Sequence, residues 1–266
     1  MACEPDFAHW QASLQQRAAL PAAAHRAPLT LAQTFARIGS VEPALAESLA
    51  QAGLPLRQSG VEWQVAAPAD ASLAAIARWL HRNGLGGHWR DELLDVNDDA
   101  GTPVAVIERA AVRALGITTF AVHLVGACRD GRVWVQQRAF DKATDPGLWD
   151  TTMGGQVGAG ESPADTLERE TWEEAGLRLA QLQGLGFVER IAVRRPVPEG
   201  YMDELIDVYE ATVPDGVVPV NQDGEVHRFE SLPPAELVSR LRANAFTLEA
   251  ALILSAWLLE RGTTLR

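Results

Sequence analysis

Apolar and polar positions follow two different periods along this chain, and the change of period marks the elements. Across residues 70–82, Leu73, Ile76, Ala77 and Leu80 share one face, which predicts an amphipathic helix stopped by Asn83 and Gly84. Residues 61–65 alternate with the period of a strand, and residues 92–96 and 104–107 read as two more. A shorter helix is expected over residues 43–52, ending at Gly53. Residues 29–38 hold a short helix or the start of a strand. Residues 1–28, rich in alanine, glutamine and proline, read as a loose arm with a short helix within residues 7–20. Residues 29–115 thus make a small α+β domain, and no cluster in it demands chemistry.

The character changes over residues 111–116. Residues 118–127 and 132–138 are expected as two strands joined across the tight-turn signal Arg129-Asp130-Gly131. Further strands follow at residues 186–193 and 205–213, and helices at 233–241 and 247–261. Between the strand pairs, a glycine-rich loop from Gly155 runs into a helix with Ser162 as N-cap, Pro163 at N1 and Asp165 at N3, ended by Gly176 before Leu177. Ala164, Leu167, Thr171 and Ala175 form a stripe on it suited to packing on a sheet. Strands bracketing one acidic helix, with helices at the end, predict an α/β domain over residues 116–266: a mixed sheet sandwiched between helices.

Composition narrows the picture. At 266 residues with 47% hydrophobic content, two domains with sizeable cores are expected. A net charge of −12 and a pI near 4.9 argue against a nucleic-acid or anionic-membrane surface. Cys3 and Cys128 are the only cysteines and form no CxxC pair, which fits a reducing compartment without a disulfide framework or zinc site. The first residues are acidic and lack the apolar core of a secretory signal, and the longest apolar run, residues 250–259, is about half a membrane span. A soluble cytoplasmic protein is the expectation.

The acidic helix changes the picture most. Glu170, Glu173 and Glu174 share a face at i, i+3 and i+4, where like charges repel and a purely structural helix gains nothing. A divalent cation removes that conflict, and oxygen-only ligands suit Mg²⁺ or Mn²⁺. The glycine loop lets backbone approach a phosphate or offer a carbonyl to a metal. Arg169 is poised to pin a carboxylate by a charge-assisted bond.

These residues resemble the Nudix box, G-x5-E-x7-R-E-U-x-E-E-x-G-U, where U is bulky and apolar. All seven fixed positions match: Gly155, Glu161, Arg169, Glu170, Glu173, Glu174 and Gly176. Average residue frequencies make that coincidence an event on the order of one in 10⁸ start positions, which disposes of an ordinary acidic helix. Thr171 departs from the pattern by standing where a larger aliphatic is usual. The stretch Arg138-x3-Lys142-x3-Pro146-Gly147-x2-Asp150, followed by Gly154-Gly155, is similar to the approach in Nudix proteins related to thiamin pyrophosphokinase. Those carry an α+β domain ahead of the Nudix domain, and Trp89-Arg90-Asp91-Glu92 and Glu108-Arg109-Ala110-Ala111 resemble its patterns.

The resemblance implies a Nudix α/β/α sandwich and hydrolysis of a diphosphate linkage in a small nucleotide-like or coenzyme molecule, with thiamine diphosphate or its damaged forms among the candidates. An oxidised nucleoside diphosphate or an ADP-sugar is the alternative within hydrolases. It implies Glu170 and Glu174 as principal metal ligands, Glu173 as ligand or water-positioner, and a carbonyl of Gly154 or Gly155 completing the set. Arg169 then orients the carboxylates and Glu161 holds the loop to the helix. The general base is a box glutamate, Glu204 or Glu225. Pairing into a homodimer is common in the family, though no residue here marks an interface.

Several side chains carry a plainer reading beside the functional one. Arg138 and Lys142, the only lysine in the sequence, grip a substrate phosphate or belong to a solvated loop. Glu204 begins a strand and faces the site or water, with water slightly favoured, and Glu225 is balanced between the two. Trp149 stacks on a substrate ring or packs in the core. His123, inside an apolar strand, reads as a satisfied core histidine, and Trp89 and Arg90 as packing between domains. Two rival functions remain: isomerisation of an isoprenoid diphosphate, whose enzymes usually depart from the strict box, and ligand sensing without turnover, which has no use for so many carboxylates.

Overall fold

The amphipathic stripe of residues 70–82 does what its spacing predicts, burying Leu73, Ile76, Ala77 and Leu80. Its helix belongs to a computed structural model that describes residues 7–261. In order the chain forms α1 (Phe7–Ala18), β1 (Ala27–Leu31), β2 (Arg37–Val41), α2 (Pro43–Gln51), β3 (Leu56–Ser59), β4 (Glu62–Val65), α3 (Ala69–Arg82), β5 (Leu93–Asn97) and β6 (Pro103–Glu108). Then follow β7 (Thr119–Ala127), β8 (Val133–Arg138), β9 (Trp149–Asp150), β10 (Met153–Gln156), α4 (Pro163–Ala175), β11 (Gln183–Val197), β12 (Gly200–Thr212), β13 (Val226–Leu232), α5 (Pro234–Arg242) and α6 (Leu248–Glu260).

A four-stranded sheet in the order β2-β1-β4-β3 and the β5–β6 ribbon enclose one apolar core with α2 and α3. A seven-stranded sheet runs β11-β12-β7-β8-β13, with β10 beside β7 and β9 beside β8. It is mixed, because β12 lies parallel to β7 while the other pairs are antiparallel. Period-two alternation along β7 sends Val122 and Leu124 into a core with Leu167 and Ala175 of α4, and Ala121 and Val125 into a core with α1, α5 and α6. The result is an α/β/α sandwich. Helix α6 buries residues from Ala250 to Leu258 almost all round, at roughly 1.5–3 kcal/mol for each large apolar side chain. No described helix is long and apolar enough to cross a membrane.

One expectation needs correction. The N-terminal arm is not loose over its described part: Phe7, Leu14 and Ala18 lie on one face of α1 and pack into the core with α6. Its first six residues, Cys3 among them, lie outside the described residues, as do residues 262–266. Residues 29–38 take the strand alternative, holding the end of β1 and the start of β2. Strands β3, β9, β10 and β13 carry no clear sequence signal, being short or holding exposed polar residues such as Arg57, Gln58 and Arg228.

Candidate active site

Helix α4 starts where a reciprocal cap fixes it. Ser162 Oγ accepts from Asp165 N, and Asp165 Oδ2 accepts from Ser162 N, each at 3.2 Å. It ends at Gly176, whose φ of 62° and close approach to Val220 O leave no place for a Cβ. Leu167, Thr171 and Ala175 are buried as the stripe predicts, but Ala164 is exposed. Thr171 is wholly buried, and its hydroxyl has no hydrogen-bond partner.

Arg169 organises the acidic face. Its Nε and Nη2 donate to the two oxygens of Glu161, both at 2.8 Å, while Nη1 donates to Glu170 Oε1 at 2.8 Å and Glu173 Oε2 at 3.0 Å. Glu161 also accepts from Thr166 Oγ1 at 2.9 Å and Gly158 N at 3.2 Å, and the Arg169 fork above all holds its carboxyl down to about 2. It therefore ties the glycine loop to the helix. Glu174 is almost fully buried and accepts from Gln136 Nε2 at 2.9 Å and Gly154 N at 3.0 Å. Lys142 Nζ stands 3.7 Å from Glu174 Oε1 and 2.5 Å from Glu225 Oε2. Burial, aided by the Glu174 charge, pushes the Glu170 carboxyl up to about 8; burial pushes Glu174 up to about 7 against the pull of Lys142. A Cβ on Gly155 would come within 2.2 Å of the Glu170 carboxyl carbon, so only glycine lets the strand pass so close.

These groups open onto one cavity of about 280 Å³, lined also by Gly154, Gly155, Arg138, Lys142, Glu204 and Glu225. Arg138 is braced by Asp150 Oδ2 at 3.2 Å and the Thr144 carbonyl at 3.0 Å. Glu204 is buried rather than turned to water, its Oε1 accepting from Thr119 Oγ1 at 2.9 Å and Gln156 Nε2 at 2.8 Å. His123 is buried, with Nδ1 2.9 Å from Thr151 Oγ1, and burial lowers its pKa against the pull of Asp150 and Glu204. Trp149 takes the core reading and not the substrate-stacking one. Its ring is buried in the core beside Phe246, with the guanidinium carbons of Arg228 and Arg240 at 5.3 and 4.8 Å, and it does not line the cavity. Strand β9 turns that side chain inward, so it has no face to offer a substrate.

The cavity also takes in residues that sequence reasoning missed. Glu249, in the first turn of α6, is buried with no hydrogen bond to Oε1, which forms an ion pair with Arg195 Nη2 at 3.7 Å, and burial pushes the Glu249 carboxyl up. A lone glutamate at the start of an apolar helix carries no signal beyond the helix dipole. Gln136 and Gln156 are equally silent, since only the sheet brings them to Glu174 and Glu204.

Among the described residues no three carboxylate, histidine or cysteine side chains already converge as a metal cluster. Arg169 instead draws Glu170 and Glu173 toward itself. The donor chemistry nonetheless fits a hard cation: the groups on the box helix and the glycine strand offer oxygens, and two buried carboxyls are held above their ordinary range by crowding and burial that a cation would relieve.

An α/β/α sandwich with a glycine loop and a carboxylate-bearing helix on one cavity defines a known class. The model of the NUDIX domain matches residues 118–252, and the chain belongs to the Nudix family. Among its relatives, Nudix hydrolase 20, chloroplastic, of Arabidopsis thaliana is 30% identical over 179 residues, covering 66% of this chain and 48% of that protein. Nudix hydrolase 24, chloroplastic, of the same plant is 30% identical over 190 residues, covering 66% and 49%. The chain thus spans about half the length of these relatives. The crystal structure of DR0079 from Deinococcus radiodurans has a TM-score of 0.51 at 22% identity, covering 62% of this chain and 98% of that one; this likeness concerns the fold alone.

Proposed function

We propose that this protein is a metal-dependent pyrophosphohydrolase that cuts a diphosphate linkage in a nucleotide-like or coenzyme small molecule. The observation that carries the reading is the meeting of Glu170, Glu173 and Glu174 with Lys142 and Arg138 on one cavity. Glu170 and Glu174, with Glu173 and the Gly155 carbonyl, are the groups we assign to Mg²⁺ or Mn²⁺. When bound, the ion would neutralise diphosphate charge and lower the pKa of an attacking water. Arg169 fixes the aim of Glu170 and Glu173 through Nη1, and its fork on Glu161 keeps the glycine loop at the helix. Lys142 holds its ammonium between Glu174 and Glu225, from which it can turn to a phosphate oxygen. Arg138, locked by Asp150 and Thr144, offers a second, stiffer cation.

Thiamine diphosphate and its oxidised forms head the substrate set, on the strength of the Arg138-to-Asp150 pattern and the preceding α+β unit. The test is release of phosphate and monophosphate with Mg²⁺ or Mn²⁺ from a panel holding these, normal and oxidised nucleotides, ADP-ribose, coenzyme A and isopentenyl diphosphate. Turnover of one diphosphate that stops in Glu174→Gln and without metal is the expected result. Full activity of Glu174→Gln would sink the metal assignment. Rearranged isopentenyl diphosphate without phosphate release would replace hydrolysis with isomerisation.

A further inference from the structure

The N-terminal α+β unit touches the Nudix site through its β5–β6 ribbon. Ala159 N and Gly160 N, in the glycine loop, donate to the Leu93 carbonyl and to Asp95 Oδ2, both at 2.9 Å. The ribbon therefore holds the loop that leads into the carboxylate-bearing helix. Just ahead of it, buried Glu108 accepts from Arg90 N and Glu92 N, each at 3.1 Å, which fixes a bend where Asp91 adopts a φ of 57°. That bend delivers Arg90 to the wall of the same cavity as Glu170 and Glu174.

The cations of this wall differ in how they are engaged. Arg109 donates from Nη1 to Glu92 at 2.8 Å, Lys142 is paired with Glu174 and Glu225, and Arg138 with Asp150. Among the described residues the guanidinium of half-buried Arg90 makes no hydrogen bond and no ion pair, although Glu92 and Glu225 act on it at longer range. Burial and the charges of Arg109 and Arg138 lower its pKa. Arg113, half-buried in the segment leading out of the unit, also lines the cavity, and among the described residues its side chain makes no hydrogen bond and no ion pair. A guanidinium kept partly out of water, beside like charges and with its donors unspent, is a poor structural element and a good anion receptor. Five donors in a planar fork match a phosphate.

We propose that the N-terminal unit completes the catalytic cavity by supplying Arg90 and Arg113 as binding residues for a substrate phosphate held against the box carboxylates. This rests on the diphosphate reading above and assigns the preceding domain a share in substrate recognition. Charge-assisted contacts of this kind are worth about ten- to a hundredfold in affinity.

The test uses the whole chain and methylenediphosphonate, a non-hydrolysable diphosphate, titrated calorimetrically with Mg²⁺ present. Wild type, Arg90→Ala, Arg90→Lys and Arg113→Ala are compared, with melting temperature and Mn²⁺ binding as controls. Arg90→Ala and Arg113→Ala should each weaken the ligand by about tenfold or more while leaving Mn²⁺ affinity and melting unchanged, and Arg90→Lys should recover part of the loss. With a substrate in hand, the same variants should raise KM more than they lower kcat. Wild-type affinity in both alanine variants overturns the arginine role and leaves the hydrolase reading standing. No diphosphate binding by wild type overturns both.

Discussion

Removing one charge from the box helix should stabilise the metal-free protein and abolish its response to metal. The side chain of Glu170 is 15% exposed, and burial together with the Glu174 charge raises its carboxyl from an ordinary 4.5 to about 8, with Arg169 offsetting only part of the rise. Within that interval the folded state keeps a proton that the unfolded chain has released. A raised folded value means that the contribution is fully present below pH 4.5 and is lost as pH climbs toward 8. One proton carries about 1.4 kcal/mol per pH unit, so between about pH 5.5 and 7.5 this group removes roughly 2–3 kcal/mol from the metal-free protein. Glu170→Gln keeps an oxygen for Arg169 Nη1 and removes the titration. At roughly 2–4 °C per kcal/mol for a chain of this size, the variant's advantage over wild type in EDTA should grow by about 4–12 °C between pH 5.5 and 7.5. The assay is thermal melting followed by circular dichroism across that pH range, in EDTA and again in Mg²⁺. The gap between variant and wild type should widen with pH in EDTA and close or reverse in Mg²⁺, which stabilises wild type through its ligands. A gap in EDTA that is constant with pH, or a variant that melts below wild type throughout, would refute the view that burial outweighs the Arg169 pairing.

Gly155→Ala should keep the fold but lower metal affinity and turnover at least tenfold, read by Mn²⁺ titration, because its Cβ would overlap the Glu170 carboxylate. Trp149→Phe should lower the melting temperature by a few degrees and leave KM unchanged, as a ring packed in the core and absent from the cavity requires. Glu161→Gln removes the charge and one of the two acceptor oxygens that face the Arg169 fork, and should reduce kcat about tenfold with little effect on KM, measured by steady-state kinetics.

Much of this site can be read directly from residue order because it is local. Ser162, Asp165 and Gly176 cap α4 through contacts within a turn, and Glu161, Arg169, Glu170 and Glu173 meet within one loop and one helix. The long-range partners are different. Gln136 reaches Glu174 across 38 positions, Glu204 meets Thr119 across 85, and Glu249 enters from the far helix, so periodicity has nothing to say about them. Trp149 misleads because its neighbours Pro146, Gly147 and Asp150 belong to a substrate-side pattern while a two-residue strand turns its own ring inward. The helix of the arm is missed as a packed element because its face is three apolar residues spread over three turns among alanine and glutamine, which only α6 makes meaningful.

Lys142 has a consequence of a more practical kind. Its ε-amino group is the only one in these 266 residues, and its side chain is 11% exposed, held between two carboxylates inside the cavity. Amine acylation within the folded chain therefore has a single side-chain address. Whatever fills the cavity shields that address, and whatever draws Lys142 away from Glu174 and Glu225 uncovers it. The mass an acylating reagent adds at Lys142 becomes a direct count of cavities left open, with no label to engineer and no substrate to know in advance.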